Sequence, residues 1–191
     1  MRSSLDDLRM IEPQCHSLQP VVTMHENNWF SVKSRGGYYV IEYNVPSVTI
    51  LPIVDHHSII MVNAKRPVIA DSPLELPAGG AERSELPVAA AMRELQEETG
   101  IVINNIDRFQ LLAPIVISSN RFPVMGRIYQ IDITLDEFTN RISHDDEIDG
   151  VVLIPFDVIK AKIISGEIYI GLSIAIISRF LFLREGDYGI K

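Results

Sequence analysis

The sequence predicts an α/β fold, α+β in arrangement, in which a mixed β-sheet lies between helices. Two observations support this prediction. Short runs rich in valine and isoleucine recur along the chain, and a separate run consists of strong helix formers. Strands mixed with helices in this way are typical of a layered sandwich rather than a helical bundle.

The first half of the chain is predicted to be mostly β-structure. Residues 1–26 have weak periodicity and are expected to be irregular or partly mobile. After them, runs of β-formers bounded by turn residues predict strands at residues 29–33, 38–43, 48–54 and 58–62. Asp55, His56 and His57 separate the last two strands and predict a solvated turn.

Residues 86–99 change character and predict a helix, because residues 89–98 are mostly good helix formers. Pro87 suits the first helical turn, and Gly100 suits the position where helices often stop. Further strands are predicted at residues 109–117, 128–133 and 151–154, and further helices at residues 155–164 and 172–183. The apolar residues 168–183 are too short for a membrane span and include Arg179, which favours a buried helix.

Composition restricts the class of partner. The 191 residues suit one domain, or one domain with a small appendage, and 47% of them are hydrophobic. The net charge of −8 argues against a nucleic-acid partner, which needs clustered lysine and arginine. A phosphate-bearing small molecule remains possible, because bound metal ions can reverse the local charge.

The single Cys15 excludes an intrachain disulfide and favours a reducing, cytoplasmic setting. Residues 1–10 carry two aspartates and no apolar run, so no secretory signal is expected there. We therefore expect no membrane partner.

Three carboxylates dominate the predicted helix. Glu94 and Glu98 are four residues apart and share one helix face, and Glu97 borders that face. Like charges at this spacing destabilise an isolated helix, and a magnesium ion would compensate them. The alternative from spacing alone is a solvated acidic face.

The wider pattern favours the metal. Gly79 is followed by five residues, then Glu85, then seven residues, then the run Arg-Glu-Leu-Gln-Glu-Glu-Thr-Gly-Ile at residues 93–101. This spacing matches every fixed position of the signature of the Nudix hydrolases. The chain is therefore identified as resembling that family, and the resemblance covers roughly residues 28–185.

The resemblance implies the Nudix α/β/α sandwich and a loop–helix–loop that builds a metal site. By position it implies Glu94 and Glu98 as Mg²⁺ ligands, with Mn²⁺ a possible substitute. Glu97 would be a further ligand, directly or through water, and the carbonyl of Ala78 a backbone ligand. Metal ions in such a site neutralise a diphosphate and activate a water molecule.

Other signature residues would support the site. Arg93 and Glu85 resemble the pair that braces the loop, the alternative being an ordinary surface ion pair. Gly79 and Gly100 would be conformational, allowing a tight turn and a helix stop. Glu97, or Glu147 in the acidic cluster at residues 145–149, would be the general base. The alternative for that cluster is a polar turn.

The run Leu-Glu-Leu-Pro-Ala-Gly at residues 74–79 resembles the ADP-ribose and nucleotide-sugar pyrophosphatase branch. Arg66 matches an arginine that contacts substrate in that branch, although Asn63 and Lys65 replace its usual glutamine and aromatic residue. The alternative for Arg66 is a surface charge at a strand end. The branch's Ser-Pro-Gly loop is absent here, which puts the preference for ADP-ribose in doubt.

Two further residues are candidate substrate contacts. Trp29 could stack on the nucleobase, or it could be a core or dimer-interface residue. Arg121 lies in the loop that replaces the Ser-Pro-Gly motif and could contact phosphate or sugar, or it could be solvated. Residues 1–45 are expected to form an N-terminal β extension that supports a homodimer, and residues 46–191 the Nudix domain.

The expected function is hydrolysis of ADP-ribose or a related nucleotide-sugar to a nucleoside monophosphate and a sugar phosphate. One alternative is a Nudix hydrolase of different specificity, acting on a dinucleotide, coenzyme A or a nucleoside triphosphate. Another is a Nudix-fold metabolite sensor without turnover, although the complete set of signature carboxylates argues against it.

Overall fold

The computed structural model describes residues 7–185 of the chain, which form two β-sheets and four α-helices. The strands are β1 (Val21–Glu26), β2 (Phe30–Arg35), β3 (Tyr38–Tyr43), β4 (Ser47–Val54), β5 (Ser58–Ala64), β6 (Leu74–Glu75), β7 (Ala78–Gly80), β8 (Gln110–Leu112), β9 (Arg127–Ile133) and β10 (Ile148–Pro155). The helices are α1 (Pro87–Thr99), α2 (Leu135–Thr139), α3 (Phe156–Ile164) and α4 (Gly171–Glu185).

The larger sheet is mixed. Its strand order is β10-β5-β4-β9-β8, while β6 pairs with β5 and β7 pairs with β4. Strands β4 and β9 run parallel, and the other pairs are antiparallel. The smaller sheet, β1-β2-β3, is antiparallel and precedes the larger one in the chain.

Helices cover both faces of the larger sheet. Alternate residues of β4 explain how, because successive side chains of a strand point to opposite faces. Val48 and Ile50 pack with Leu95 of α1, whereas Leu51 and Ile53 join the cluster that contains α3 and α4. This is the expected α/β/α sandwich, and its central strand reads as a continuous apolar run because both faces are buried.

The structure differs from the sequence prediction in several segments. Residues 21–26 were expected to be irregular, but they form strand β1. They do so because pairing with β2 supplies backbone hydrogen bonds that local periodicity does not reveal. The strand expected over residues 109–117 ends at Leu112, before Pro114. The short helix α2 was not predicted, although Thr134 and Glu137 form a complete capping box at its start.

The apolar segment near the C-terminus is α4, and its buried face includes Ile176, Ile177 and Leu181. Within residues 7–185, no helix combines the length and apolar character needed to cross a bilayer.

Candidate active site

Helix α1 presents the signature glutamates because both of its ends are fixed. Pro87 occupies the first turn, and Leu95 is fully buried against the sheet. Gly100 ends the helix with a left-handed φ of 75°. A Cβ at that position would lie 2.0 Å from the carbonyl oxygen of Ile142, so the loop after α2 can pack against this end only because residue 100 is glycine.

Gly79 lies in β7, directly beside the Glu94 carboxylate. A Cβ on Gly79 would be 2.1 Å from Cδ of Glu94, which no real contact allows. Glycine is therefore required here for space, rather than for the tight turn that the sequence suggested. The carboxylate is held against the backbone that precedes α1 in the chain.

Glu98 is the most buried of the signature glutamates, with 8% of its surface exposed. Its Oε2 accepts a hydrogen bond of 2.9 Å from the amide of Ala78. Burial raises the pKa of the Glu98 carboxyl to about 8, and the neighbouring charge of Glu94 acts in the same direction. Burial likewise raises the pKa of Glu94. Two desolvated carboxylates thus converge on residues 78–79, which is an arrangement that favours a bound cation.

Arg93 connects the loop to the helix. Its guanidinium donates to both carboxylate oxygens of Glu85, at 3.2 and 3.1 Å, and to the carbonyl of Gly80 at 2.8 Å. The same group donates to Glu94 at 3.0 Å and to Glu97 at 2.7 Å. Arg93 therefore holds the residue 80–85 loop and also neutralises two of the three signature carboxylates.

The side chains fit a hard divalent cation, although they do not form a closed cage. Within residues 7–185, no three acidic, histidine or cysteine side chains converge as a ready metal cluster. The carboxylates of Glu94 and Glu97 both accept hydrogen bonds from Arg93, and Glu97 is about half exposed. Glu94 and Glu98 offer desolvated oxygens of the kind that magnesium prefers, and Glu97 can join them by releasing Arg93.

The second acidic cluster packs against the C-terminal end of α1. The amide of Asp145 donates to the carbonyl of Glu97 at 2.9 Å, and the charge of Asp145 contributes to the raised pKa of Glu98. Glu147 is exposed, and its carbonyl accepts a hydrogen bond of 2.9 Å from the amide of Lys65. The loop that carries Glu147 thus lies beside the glutamate helix.

Arg66 is fixed next to this loop. Its guanidinium makes a two-pronged ion pair with Glu75, at 2.9 and 3.0 Å, and this pairing raises the pKa of Arg66. The charges of Glu98 and Glu147 act on Arg66 in the same direction, so these groups share one region. Arg66 is therefore an oriented side chain rather than a free surface charge.

Trp29 and Arg121 lie apart from the glutamates. Trp29 immediately precedes β2 and is 71% exposed, so it is not a core residue of this chain. Arg121 donates to the carbonyl of Tyr39 at 3.4 Å, while its own carbonyl accepts from the amide of Ile41 at 2.7 Å. Its described contacts reach the β1-β2-β3 sheet and not α1.

Sequence reasoning gave no role to Glu75 and Asp145, which the structure places in the site. Glu75 is buried beneath Arg66, although both of its neighbours in sequence are buried leucines. The signal that could have identified Glu75 is its position between two apolar residues. A charge buried in such a segment needs a partner of opposite charge. Asp145 had no comparable signal, since four acidic residues stand close together there.

Together, the three-layer fold and the braced glutamate helix define an α/β/α protein whose desolvated carboxylates suit a hard divalent cation. Comparison with known sequences agrees with this class. Residues 44–170 match the NUDIX domain. The match covers well over half of the chain, and the chain therefore belongs to the NUDIX domain family.

Several curated relatives are similar over part of the chain. They are an ADP-sugar pyrophosphatase of Mus musculus (43% identical over 58 residues), an ADP-ribose pyrophosphatase of Bacillus subtilis (37% over 62) and a methanol dehydrogenase activator of Bacillus methanolicus (41% over 54). These matches span 28%, 32% and 28% of this chain and 27%, 34% and 29% of the relatives, so they concern about a third of each protein or less.

A solved structure of an ADP compounds hydrolase has a similar fold. Its TM-score is 0.62 at 19% identity, and the match covers 87% of this chain and 94% of that one. At this identity the likeness concerns the fold alone, and the fold class predicted from the sequence is confirmed.

Proposed function

We propose that the chain is a Mg²⁺-dependent pyrophosphohydrolase that cleaves ADP-ribose or a related nucleotide-sugar to a nucleoside monophosphate and a sugar phosphate. Two similar proteins support this substrate class, because one is an ADP-sugar pyrophosphatase and the other an ADP-ribose pyrophosphatase. Mn²⁺ is expected to substitute for Mg²⁺, since both accept oxygen ligands.

One observation carries the proposal. The carboxylates of Glu94 and Glu98 are desolvated and lie against the backbone of residues 78–79, with no lysine or arginine paired to Glu98 among the residues described. A buried carboxylate without a cation is unfavourable. Its retention on a signature helix is best explained by a metal ion that supplies the missing charge.

Each residue of the candidate site would have a separate role in metal binding or proton transfer. Glu94, Glu98, the Ala78 carbonyl and, once it leaves Arg93, Glu97 would hold the metal, which neutralises the diphosphate and activates water when bound. Arg93 and Glu85 fix the residue 80–85 loop, which directly follows the strand that would supply the backbone ligand. Glu97 or Glu147 would accept the proton from the attacking water.

Substrate contacts follow from position. Arg66, held rigid by Glu75, presents its exposed edge beside the glutamate helix and would bind a phosphate oxygen. Trp29 offers an exposed ring on which a nucleobase could stack. Arg121 would contact the distal sugar from the loop before β9.

We further propose a homodimer in a reducing, cytoplasmic compartment. All six residues of β1 are exposed, and Met24, Trp29 and Tyr39 each expose more than half of their surface. An apolar patch of this kind on a small sheet suits a second copy of the chain. The substrate contacts proposed for Arg121 would depend on such a second copy, because its described contacts within one chain do not reach α1.

A panel of nucleotide substrates with Mg²⁺, scored by the phosphate products released, tests the function. We expect ADP-ribose or a nucleotide-sugar to be cleaved fastest, with dinucleotides, coenzyme A and nucleoside triphosphates slower. The Glu98→Gln variant should lower turnover at least about 100-fold, the scale for losing a key electrostatic group. Glu137→Gln, a glutamate on α2, is the matched control and should keep its activity.

Two results would contradict the proposal. Near-normal turnover in Glu98→Gln would remove the metal assignment. Tight binding of ADP-ribose without turnover of any substrate over a broad pH range would make the protein a sensor.

A further inference from the structure

A cleft of about 310 Å³ opens beside the start of β4 and β9. It is lined by the β3–β4 connection, by residues 124–125 and by the N-terminal residues Met10 and Ile11. Arg127 is the one charged residue among those that line it, and Tyr43, Asn44 and Ser47 supply polar atoms. The cleft is therefore cationic in a protein whose net charge is −8.

Arg127 has no acidic partner in the part of the chain that the structure describes. Five other described arginines are each held by a carboxylate, namely Arg9, Arg35, Arg66, Arg93 and Arg108. Arg127 is partly buried, and burial lowers the pKa of its guanidinium, because no carboxylate offsets the loss of water. A desolvated guanidinium without an acceptor is unfavourable unless something else supplies one.

The neighbouring backbone keeps a second donor accessible. Gly126 precedes Arg127, and a Cβ there would lie 2.7 Å from Oγ of Ser47. Without that Cβ, the Ser47 hydroxyl can lie beside the first residue of β9. A guanidinium and a hydroxyl at one end of a cleft are suitable donors for an oxyanion.

The register of the sheet relates this cleft to the glutamates. Arg127 pairs with Val48, and Val48 pairs with Gly79 on its other edge. Paired residues share a face, and the Cβ direction at Gly79 points to Glu94 of α1. Two strand spacings place the Arg127 Cα about 10 Å from that of Gly79. The arginine side chain lies on the same face of the sheet.

We propose that Arg127 binds an anionic substituent, a phosphate or a carboxylate, carried by the substrate beyond the diphosphate that is cleaved. This inference rests on the proposed function, because the diphosphate must be held at Glu94 and Glu98 for the spacing to apply. The preferred substrates are then nucleoside diphosphate compounds with one additional negative group. Arg127 acts as a specificity residue and takes no part in the chemistry.

Wild-type protein tests this with matched substrate pairs. One pair is ADP-ribose and its 2′-phosphate, and another is a UDP-hexose and the corresponding UDP-hexuronate. We expect at least one anionic member to have a kcat/KM about 10- to 100-fold higher than its neutral counterpart, mainly through a lower KM. That range corresponds to one charge-assisted hydrogen-bonded contact.

Variants assign the effect to the residue. Arg127→Gln should remove the preference and change kcat/KM for the neutral member less than about threefold, and Arg127→Lys should restore part of the preference. Arg108→Gln is the matched control, because it removes the same charge near the opposite end of β9, where Arg108 donates to the carbonyl of Asp132. It should leave the preference intact.

The outcomes separate this inference from the proposed function. Equal kcat/KM for both members of every pair would overturn the role of Arg127 while leaving pyrophosphohydrolase activity established. A preference that survives in Arg127→Gln would also overturn it. A third outcome is that inorganic phosphate changes the kinetics of wild type but not of Arg127→Gln, while kcat/KM is equal within every substrate pair. The site would then bind a free anion rather than a substituent of the substrate, which would contradict the proposal. If no nucleotide substrate were cleaved, both the proposed function and the role of Arg127 would be contradicted.

Discussion

Replacing Glu98 with glutamine should stabilise the metal-free protein while it abolishes function. The wild-type carboxyl is buried, its pKa is raised from 4.5 to about 8, and its hydrogen bond comes from the Ala78 amide. The glutamine carbonyl can still accept that bond, and an amide carries no charge to desolvate. The substitution therefore removes the free-energy cost of burying an ionisable carboxyl without removing the hydrogen bond from Ala78.

The size of the effect follows from linkage. Each pH unit between the ordinary and raised pKa is worth about 1.4 kcal/mol. Near pH 7 Glu98 is mostly protonated in the metal-free fold but ionised in the unfolded chain. This proton uptake destabilises the fold by up to about 3 kcal/mol, which corresponds to a melting temperature lower by roughly 5–10 °C for a chain of this size.

The direction of the pKa shift of Glu98 determines the pH range in which stability is lost. A carboxyl with a raised pKa in the folded state supports stability below its unfolded pKa, and this support is lost as the pH rises toward 8. In EDTA, wild type and Glu98→Gln should therefore unfold alike near pH 4.5 and diverge steadily up to pH 8, with the variant more stable. Thermal unfolding followed by circular dichroism at several pH values measures this.

Mg²⁺ should reverse the order of stability. Metal binding to the folded wild type raises its melting temperature by mass action, and the variant should gain less. Glu97→Gln is the matched control, since it removes the same charge from a half-exposed position on α1 and should change metal-free stability by less than about 1 kcal/mol. Parallel stability curves for wild type and Glu98→Gln from pH 4.5 to 8 would refute the reasoning.

Three other substitutions give separate tests. Gly79→Ala should weaken Mg²⁺ binding about 10-fold or more with stability nearly unchanged, because the new Cβ displaces only the flexible end of Glu94; unaltered binding in a calorimetric titration would contradict this. Glu137→Gln should make the protein more sensitive to acid, because hydrogen bonds from Arg108 lower the Glu137 pKa to about 2. The ionised Glu137 of the wild type stabilises the fold above pH 4.5, and this stabilisation is lost as the pH falls toward 2. Identical acid-unfolding midpoints for wild type and Glu137→Gln would therefore argue against this prediction. Leu95→Ala should destabilise the fold by about 2–5 kcal/mol in a urea titration, since this side chain of α1 is fully buried against the sheet. A loss below about 1 kcal/mol would be inconsistent with the packing.

The sequence was most informative where local chemistry determines structure. Helix α1 begins at Pro87 and ends before Gly100, as predicted, because a first-turn proline and a left-handed glycine are local signals. The central strand β4 was also found, since burial on both faces leaves an unbroken apolar run. The signature spacing predicts the glutamates as metal ligands, because that chemistry requires fixed positions on one helix, and this assignment stays a prediction.

Long-range contacts were less predictable. Strand β1 depends on its pairing with β2, and its six exposed residues carry no alternation that would announce a strand. The ion pair of Arg66 with Glu75 joins residues nine apart across a loop. The contact that requires Gly79 joins β7 to α1, so no local pattern could show that the residue is small for the sake of Glu94. The domain division at residue 45 stays a prediction.

The bonds from Arg93 to Glu94 and Glu97 have a consequence for the order in which this protein matures. An internal cation already balances part of the acidic helix, so the polypeptide can complete its fold before any ion arrives, unlike a zinc finger that collapses only around its metal. An arriving ion must compete with that guanidinium for Glu97. If magnesium binds as proposed, its occupancy would follow the supply of the ion, and a chelator would inactivate the protein reversibly without unfolding it.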